Sequence, residues 1–167
     1  MERLGPPDAI LLNAAVGWLE LGRPSEALAE LDRLSPEHQS RAEVLEVRWA
    51  ACAALKDWDL AVRVAEQLVA RMPDRPNGWL HRAYALRRAT GGGLERAWEA
   101  LRPAADRFPR EPIIPYNLAC YACQMGRLDE ARQWFVRALR VGDRATLKDM
   151  ALHDDDLRPL WDEISAL

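Results

Sequence analysis

Lysine is almost absent from this 167-residue chain, two residues against 21 arginines, and the 23 basic side chains do not outnumber the 26 acidic ones. A net charge of -3 leaves no cationic excess for phosphate contacts, which excludes a general nucleic-acid binder. No unbroken apolar stretch approaches the ~20 residues of a membrane span. The opening MERLGPPDAILL is too polar at its start, and Ala9 to Val16 contains Asn13 and no small-residue cleavage site, so no secretory leader is expected. Three cysteines, an odd number placed inside helical patterns, exclude a disulfide framework and suit a reducing compartment. Phosphate-binding glycine loops, nucleophile elbows and zinc-protease signatures are all missing. A noncatalytic, cytoplasmic protein without metal or cofactor is the expectation. The excess of arginine over lysine points to a high-GC bacterial genome.

What is present is a pattern that repeats. Between Pro112 and Val141 the small and apolar residues fall at Leu118, Ala119 and Ala122, then at Leu128, Ala131, Phe135, Ala138 and Leu139 after Gly126. This is helical spacing on both sides of a glycine break, so two short amphipathic helices must face each other. Units starting at Asp8, Ala42 and Pro76 place Ala27, Ala61 and Ala97 at the offset of Ala131, and Leu31, Ala65 and Leu101 at the offset of Phe135. Starts at 8, 42, 76 and 112 are spaced by 34, 34 and 36, the last spacing absorbing two extra residues at Thr90-Gly91-Gly92-Gly93.

The pattern resembles the tetratricopeptide repeat, a helix-turn-helix of about 34 residues with small side chains where its helices cross. The resemblance covers roughly four-fifths of the chain and implies an all-α, right-handed α-solenoid, a single domain over 1–167 whose core lies between neighbouring units. The units expected are 8–36, 42–75, 76–111 and 112–143, followed by a C-terminal cap over 144–167. The closing ALHDDDLRPLWDEI, with YNLACYACQMGRLDEA, resembles the end of a bacterial subgroup of these repeats. In the cap, helices over 144–152 and from Asp154 onward are expected to turn Leu147, Met150, Leu157, Leu160, Trp161 and Ile164 onto the exposed end of the fourth unit.

Individual units depart from the pattern. Ser35-Pro36-Glu37 reads as a helix start, with serine as cap and proline in the first turn, which would lengthen the first helix of the second unit. Trp49 occupies the offset where other units have Ala15, Ala83 and Ala119; its ring must hold the paired helices apart or turn toward a neighbour. Arg48 and Arg82 stand where the fourth unit has Leu118, so their stems should lie along the core while the guanidinium reaches a carboxylate or water. Pro103 falls inside the second helix of the third unit, where an unbent helix would be destabilised by about 3 kcal/mol, and a kink is predicted.

Functional residues in such folds lie on the first helix of each unit, so the resemblance implies a peptide-binding groove. The first two units offer an apolar to acidic floor. The third offers Asn77, His81, Tyr84, Arg87 and Arg88, and the fourth Tyr116, Asn117, Cys120 and Gln124. Tyrosine gives rigid contact area and arginine pairs carboxylates, so the expected partner is a protein or peptide with apolar and acidic segments. Asn117 has an amide able to take both groups of an extended backbone. The chaperone-tail clamp known in this fold is not matched: one frame gives Leu12, Val16, Val47, Asn77 and His81, the other Glu46, Ala50, His81, Ile113 and Asn117.

Cys120 and Cys123 form C-x-x-C, but in mid-helix, away from the N-terminus that activates a redox thiol, and only His81 and Cys52 are arguable further zinc ligands. His38 and His153 lie near helix starts with no partner visible in sequence. Asp129-Glu130 and Asp154-Asp155-Asp156 stand at helix beginnings, where capping accounts for them. Trp18, Trp58, Trp79, Trp98 and Trp134 fall at or beside repeat positions, where core packing accounts for them. The sequence therefore describes an adaptor, with a chaperone that shields apolar segments of clients as the alternative.

Overall fold

The computed structural model describes residues 4–167, and all of their regular structure is helical. Met1–Arg3, the start of the stretch weighed as a leader, lie outside the described residues. No described helix is long and apolar enough to cross a membrane. The chain divides into two compact units, one running to Thr90 and one from Gly91 to Leu167, parted at the triple glycine.

The first unit holds α1 (Pro6–Glu20), α2 (Pro24–Asp32), α3 (Ala42–Leu55), α4 (Trp58–Arg71) and α5 (Pro76–Leu86). Proline opens α1, α2 and α5, in the first turn where a missing N–H leaves no bond unmade. The α1–α2 turn puts Gly22 in the left-handed region at φ 69°, while at the end of α3 Lys56 takes that conformation at φ 59°. Asp57 then caps α4 by accepting the Leu60 N–H at 3.1 Å. α1 packs on α2, α3 on α4, and α4 on α5. Ala15, Ala27, Leu31, Leu34, Val44 and Ala51 form one apolar cluster, and Leu45, Val64 and Leu68 another. Each fully buried leucine contributes about 1.5–3 kcal/mol. α5 approaches α4 so closely that a Cβ on Gly78 would lie 3.0 Å from the Val69 amide nitrogen.

The expected early start of α3 is corrected by the structure. Residues 36–40 form turns, and the helix begins at Ala42. A long-range tether outweighs the local cap signal: the buried Asp8 carboxylate accepts the Ser35 N–H at 3.2 Å and meets His38 Nδ1, while the Gln39 amide donates to the Leu34 carbonyl at 3.1 Å. His38 thus has its partner 30 residues away.

The second unit comprises α6 (Leu94–Leu101), α7 (Ala104–Arg107), α8 (Ile113–Gln124), α9 (Leu128–Val141), α10 (Arg144–Leu152), a 3-10 helix (Asp155–Leu160) and α11 (Trp161–Ser165). The predicted break falls at Pro103, between α6 and α7. α8 packs on α9, with the turn between them at Gly126, φ 76°. In the cap, Leu147, Leu157, Leu160 and Ile164 are buried, and the Trp161 indole donates to the Ala151 carbonyl at 2.8 Å. Met150, expected to be covered, is 39% exposed. Pro159 interrupts the stretch after Asp154, which is why it forms a 3-10 helix and a short α-helix rather than one helix.

One backbone position and one buried charge in the first unit make its stability testable. Lys56→Gly relieves a left-handed L-residue and should raise stability by roughly 1 kcal/mol, measured by urea unfolding. His38 and the Ser35 amide hold the Asp8 carboxyl below its ordinary value of 3.8. A lowered carboxyl pKa stabilises above that value and loses its contribution as pH falls through it. Asp8→Asn should therefore lower the melting temperature at neutral pH and narrow the difference from wild type as the solution is acidified below that point.

Candidate functional site

Aromatic and ionisable side chains come together on a face built from α3 and α5. On α5, Asn77, His81 and Tyr84 follow one another at helical spacing, and the closing turn, in which the Arg88 amide bonds the Ala85 carbonyl, brings Arg88 to the same side. Trp49 of α3 resolves the conflict seen in the sequence by turning toward the neighbouring α5. Its ring stacks on His81 at 3.8 Å between centroids and 9° between planes, and meets the edge of Tyr84 at 6.1 Å. Trp58, at the start of α4, presents its edge to Tyr84 at 5.8 Å. Such pairs contribute about 0.5–1.5 kcal/mol each beyond the area they bury. The tyrosine nevertheless remains 42% exposed.

Polar groups surround this aromatic floor. His81 Nε2 lies 2.8 Å from a Glu46 carboxylate oxygen, one helical turn before Trp49. The Arg88 guanidinium lies over Tyr84 at 3.7 Å and Trp58 at 5.3 Å, and donates to the Tyr84 carbonyl at 2.9 Å. Toward the start of α5 a cleft of about 430 Å³ opens between Glu43, Glu46, Arg75 and Asn77. Arg87 is half-buried at the end of α5. The stem-and-head expectation for arginine appears at Arg48, whose guanidinium reaches Asp32 at 2.6 Å, and burial lowers the pKa of Arg82.

The candidates of the fourth repeat meet a different environment, because the protein's own C-terminal segment lies on α8. Tyr116 is 4% exposed and donates its hydroxyl to Asp154 at 3.0 Å. The Cys120 thiol reaches the same carboxylate at 3.5 Å, and the Gln124 amide donates to the Asp156 carbonyl at 3.1 Å. Asn117 is half-buried and makes no side-chain hydrogen bond among the described residues. The capping expectation for Asp154 holds, since it accepts the Asp156 N–H at 3.0 Å, but the same carboxylate also fastens the segment to α8.

Metal or thiol chemistry would have to be located here. Ligand atoms of Cys120, Asp154 and Asp156 lie within 4.8 Å of one another. Asp154 is already committed to Tyr116, to Cys120 and to its own cap. Burial raises the Cys123 thiol pKa and pushes that of Cys52 up to about 11, the opposite of an activated thiolate. The sequence singled out Tyr84 and Arg88 but not the rings beneath them. The offset of Trp49 was the available signal, since a bulky ring at a small-residue position has to go elsewhere.

No family model and no curated protein matches the sequence. Solved structures do resemble it. A MamA structure has a TM-score of 0.71 at 16% identity, covering 83% of this chain and 80% of that one. The MamA RS-1 ArsTM double mutant gives 0.70 at 19%, over 80% and 74% of the two chains. TTC0263, a thermophilic TPR protein of Thermus thermophilus, gives 0.66 at 23% identity over 96% of this chain and all of its own. The fold is thus an all-α helical repeat of the tetratricopeptide type.

Burial and the neighbouring Cys120 and Asp154 hold the Tyr116 phenol above its ordinary value of 10.0. A raised pKa means that its contribution is complete below that pH and is lost as pH rises beyond it. Tyr116→Phe should reduce stability by about 0.5–1.5 kcal/mol at neutral pH through the lost hydrogen bond, and the difference from wild type should shrink above pH 10 in equilibrium unfolding.

Proposed function

We propose that this chain is a noncatalytic protein-interaction module and that the α3–α5 face of its first unit holds the partner. The observation that carries the reading is the exposed Tyr84, fixed by Trp49, Trp58 and Arg88 on a helix face it shares with His81 and Asn77. Rigid aromatic side chains with a polar tip bind at small entropic expense, and tyrosine, tryptophan and arginine are the residues that dominate binding at interfaces. A peptide or helix would lay an apolar stretch across this floor. The helical-repeat fold agrees with such a role without selecting the partner. Neither the α3–α5 face nor the cluster at Asp154 assembles a nucleophile, a base and an oxyanion site.

A chaperone of apolar segments remains the second reading, because Ile10 and Leu21 on and just beyond α1 are 67% and 72% exposed. One experiment separates the two. Affinity purification from the native host, followed by mass spectrometry, compares wild type with Tyr84→Ala/Arg88→Ala, both checked for equal helicity by circular dichroism. The module reading expects one protein recovered with wild type and depleted at least about tenfold with the variant, as loss of a binding hot spot predicts. Recovery of the same broad set of clients by both proteins would sink the α3–α5 assignment and favour the chaperone.

A further inference from the structure

We infer that the partner segment held at the α3–α5 face is acidic, and that one of its carboxylates pairs with Arg88; this rests on the reading of that face as the binding face. Arginine lies over tryptophan throughout the chain, and elsewhere the stacked guanidinium also has an acid. Arg23 over Trp18 pairs with Glu26, and Arg127 over Trp98 pairs with Glu95 at 2.6 Å. Arg102 and Arg137, both over Trp134, share Asp106, and Arg158 over Trp161 pairs with Asp155 at 3.1 Å. Arg82 over Trp79 has Glu66 close enough to act on its charge.

Arg88 is held by two rings and the Tyr84 carbonyl, is exposed, and has no carboxylate partner among the described residues. The acids beside the Trp58 wall are committed elsewhere. Asp57 caps the Leu60 N–H, and Asp59 takes both the N–H and the hydroxyl of Thr90 at 2.9 Å. A guanidinium already oriented by aromatic faces loses little freedom when a carboxylate arrives, and its remaining N–H groups form the fork that carboxylates fit.

The second unit shows what the matching positions hold. Adding the 36-residue spacing of the last two repeats to Tyr84 and Arg88 gives Cys120 and Gln124. Those two side chains, with Tyr116, hold the chain's own Asp154–Asp156 segment by the Asp154 carboxylate and the Asp156 carbonyl. An acidic turn therefore already occupies one first-helix face. On the other face the same positions carry stronger donors, a phenol and a guanidinium, with no occupant from the described chain.

The test is calorimetric titration of the full chain with three blocked synthetic peptides. One has the sequence of residues 151–160, ALHDDDLRPL; the others replace its three aspartates with asparagine or with lysine. The acidic peptide should bind, bind more weakly at high salt, and lose about tenfold to a hundredfold in affinity with Arg88→Ala. Arg88→Lys should recover part of that loss, and because Arg88 lies beside α5 and not on α8, the loss with Arg88→Ala itself separates this binding from exchange with the resident segment. Equal binding of the asparagine peptide, or indifference to Arg88→Ala, overturns the acidic assignment; if that binding is still lost with Tyr84→Ala, the face itself stands. Failure of all three peptides to bind at millimolar concentration overturns both. Sedimentation of the protein alone closes the remaining route: a dimer abolished by Arg88→Ala would make a second copy the occupant and overturn assignment to a separate partner.

Discussion

The distance between paired helices governs this molecule, and alanine sets it. Ala27, Ala61, Ala97 and Ala131 recur at one repeat position, and Ala15, Ala83 and Ala119 at another, all fully buried. A methyl group there lets helices approach toward the short end of the roughly 8–10 Å range of interaxial distances. Larger side chains then have to interdigitate beside the crossing, which is where Leu31, Leu68 and Phe135 are found. Gly78 carries the same constraint further, since even a Cβ would press on the backbone of α4.

The candidate face is a consequence of the one position that breaks this rule. Trp49 cannot occupy the volume that alanine fills in the other repeats, so its ring swings onto α5 and becomes a wall for His81 and Tyr84. The indole Nε1 is buried there without an acceptor among the described residues, an arrangement that works against stability. The departure from the repeat and the buried donor thus coincide at the floor of the face that has the most exposed aromatic surface chemistry in its unit.

Local chemistry made much of the fold legible. Gly126 marks a turn because a positive φ is needed there, and Pro103 breaks a helix because it has no N–H to donate. Local chemistry also misled where a distant group intervened. Ser35-Pro36 has every mark of a helix start, yet Asp8 takes the Ser35 amide and His38 and holds the segment as turns. Tyr116 and Cys120 had groove-facing offsets, but nothing within the fourth repeat announces that Asp154, more than 30 residues later, comes back to bind them. Periodicity assigns a residue to a side of its helix. It does not say which other part of the chain covers that side.

That limit also explains why the two first-helix faces, equivalent by repeat offset, differ in character. On α8 small or neutral donors, Cys120 and Gln124, suffice because their acidic partner is tethered in the same chain and loses little further entropy on docking. On α5 the corresponding positions are Tyr84 and Arg88, larger and charged. A partner arriving from solution must overcome the loss of its own translational and rotational freedom, and a preoriented guanidinium over two rings offers the stronger contact which that requires. If the α5 face takes its partner from solution, as proposed, the difference in residue type between the two faces follows from whether the bound segment comes from within the chain or from outside it.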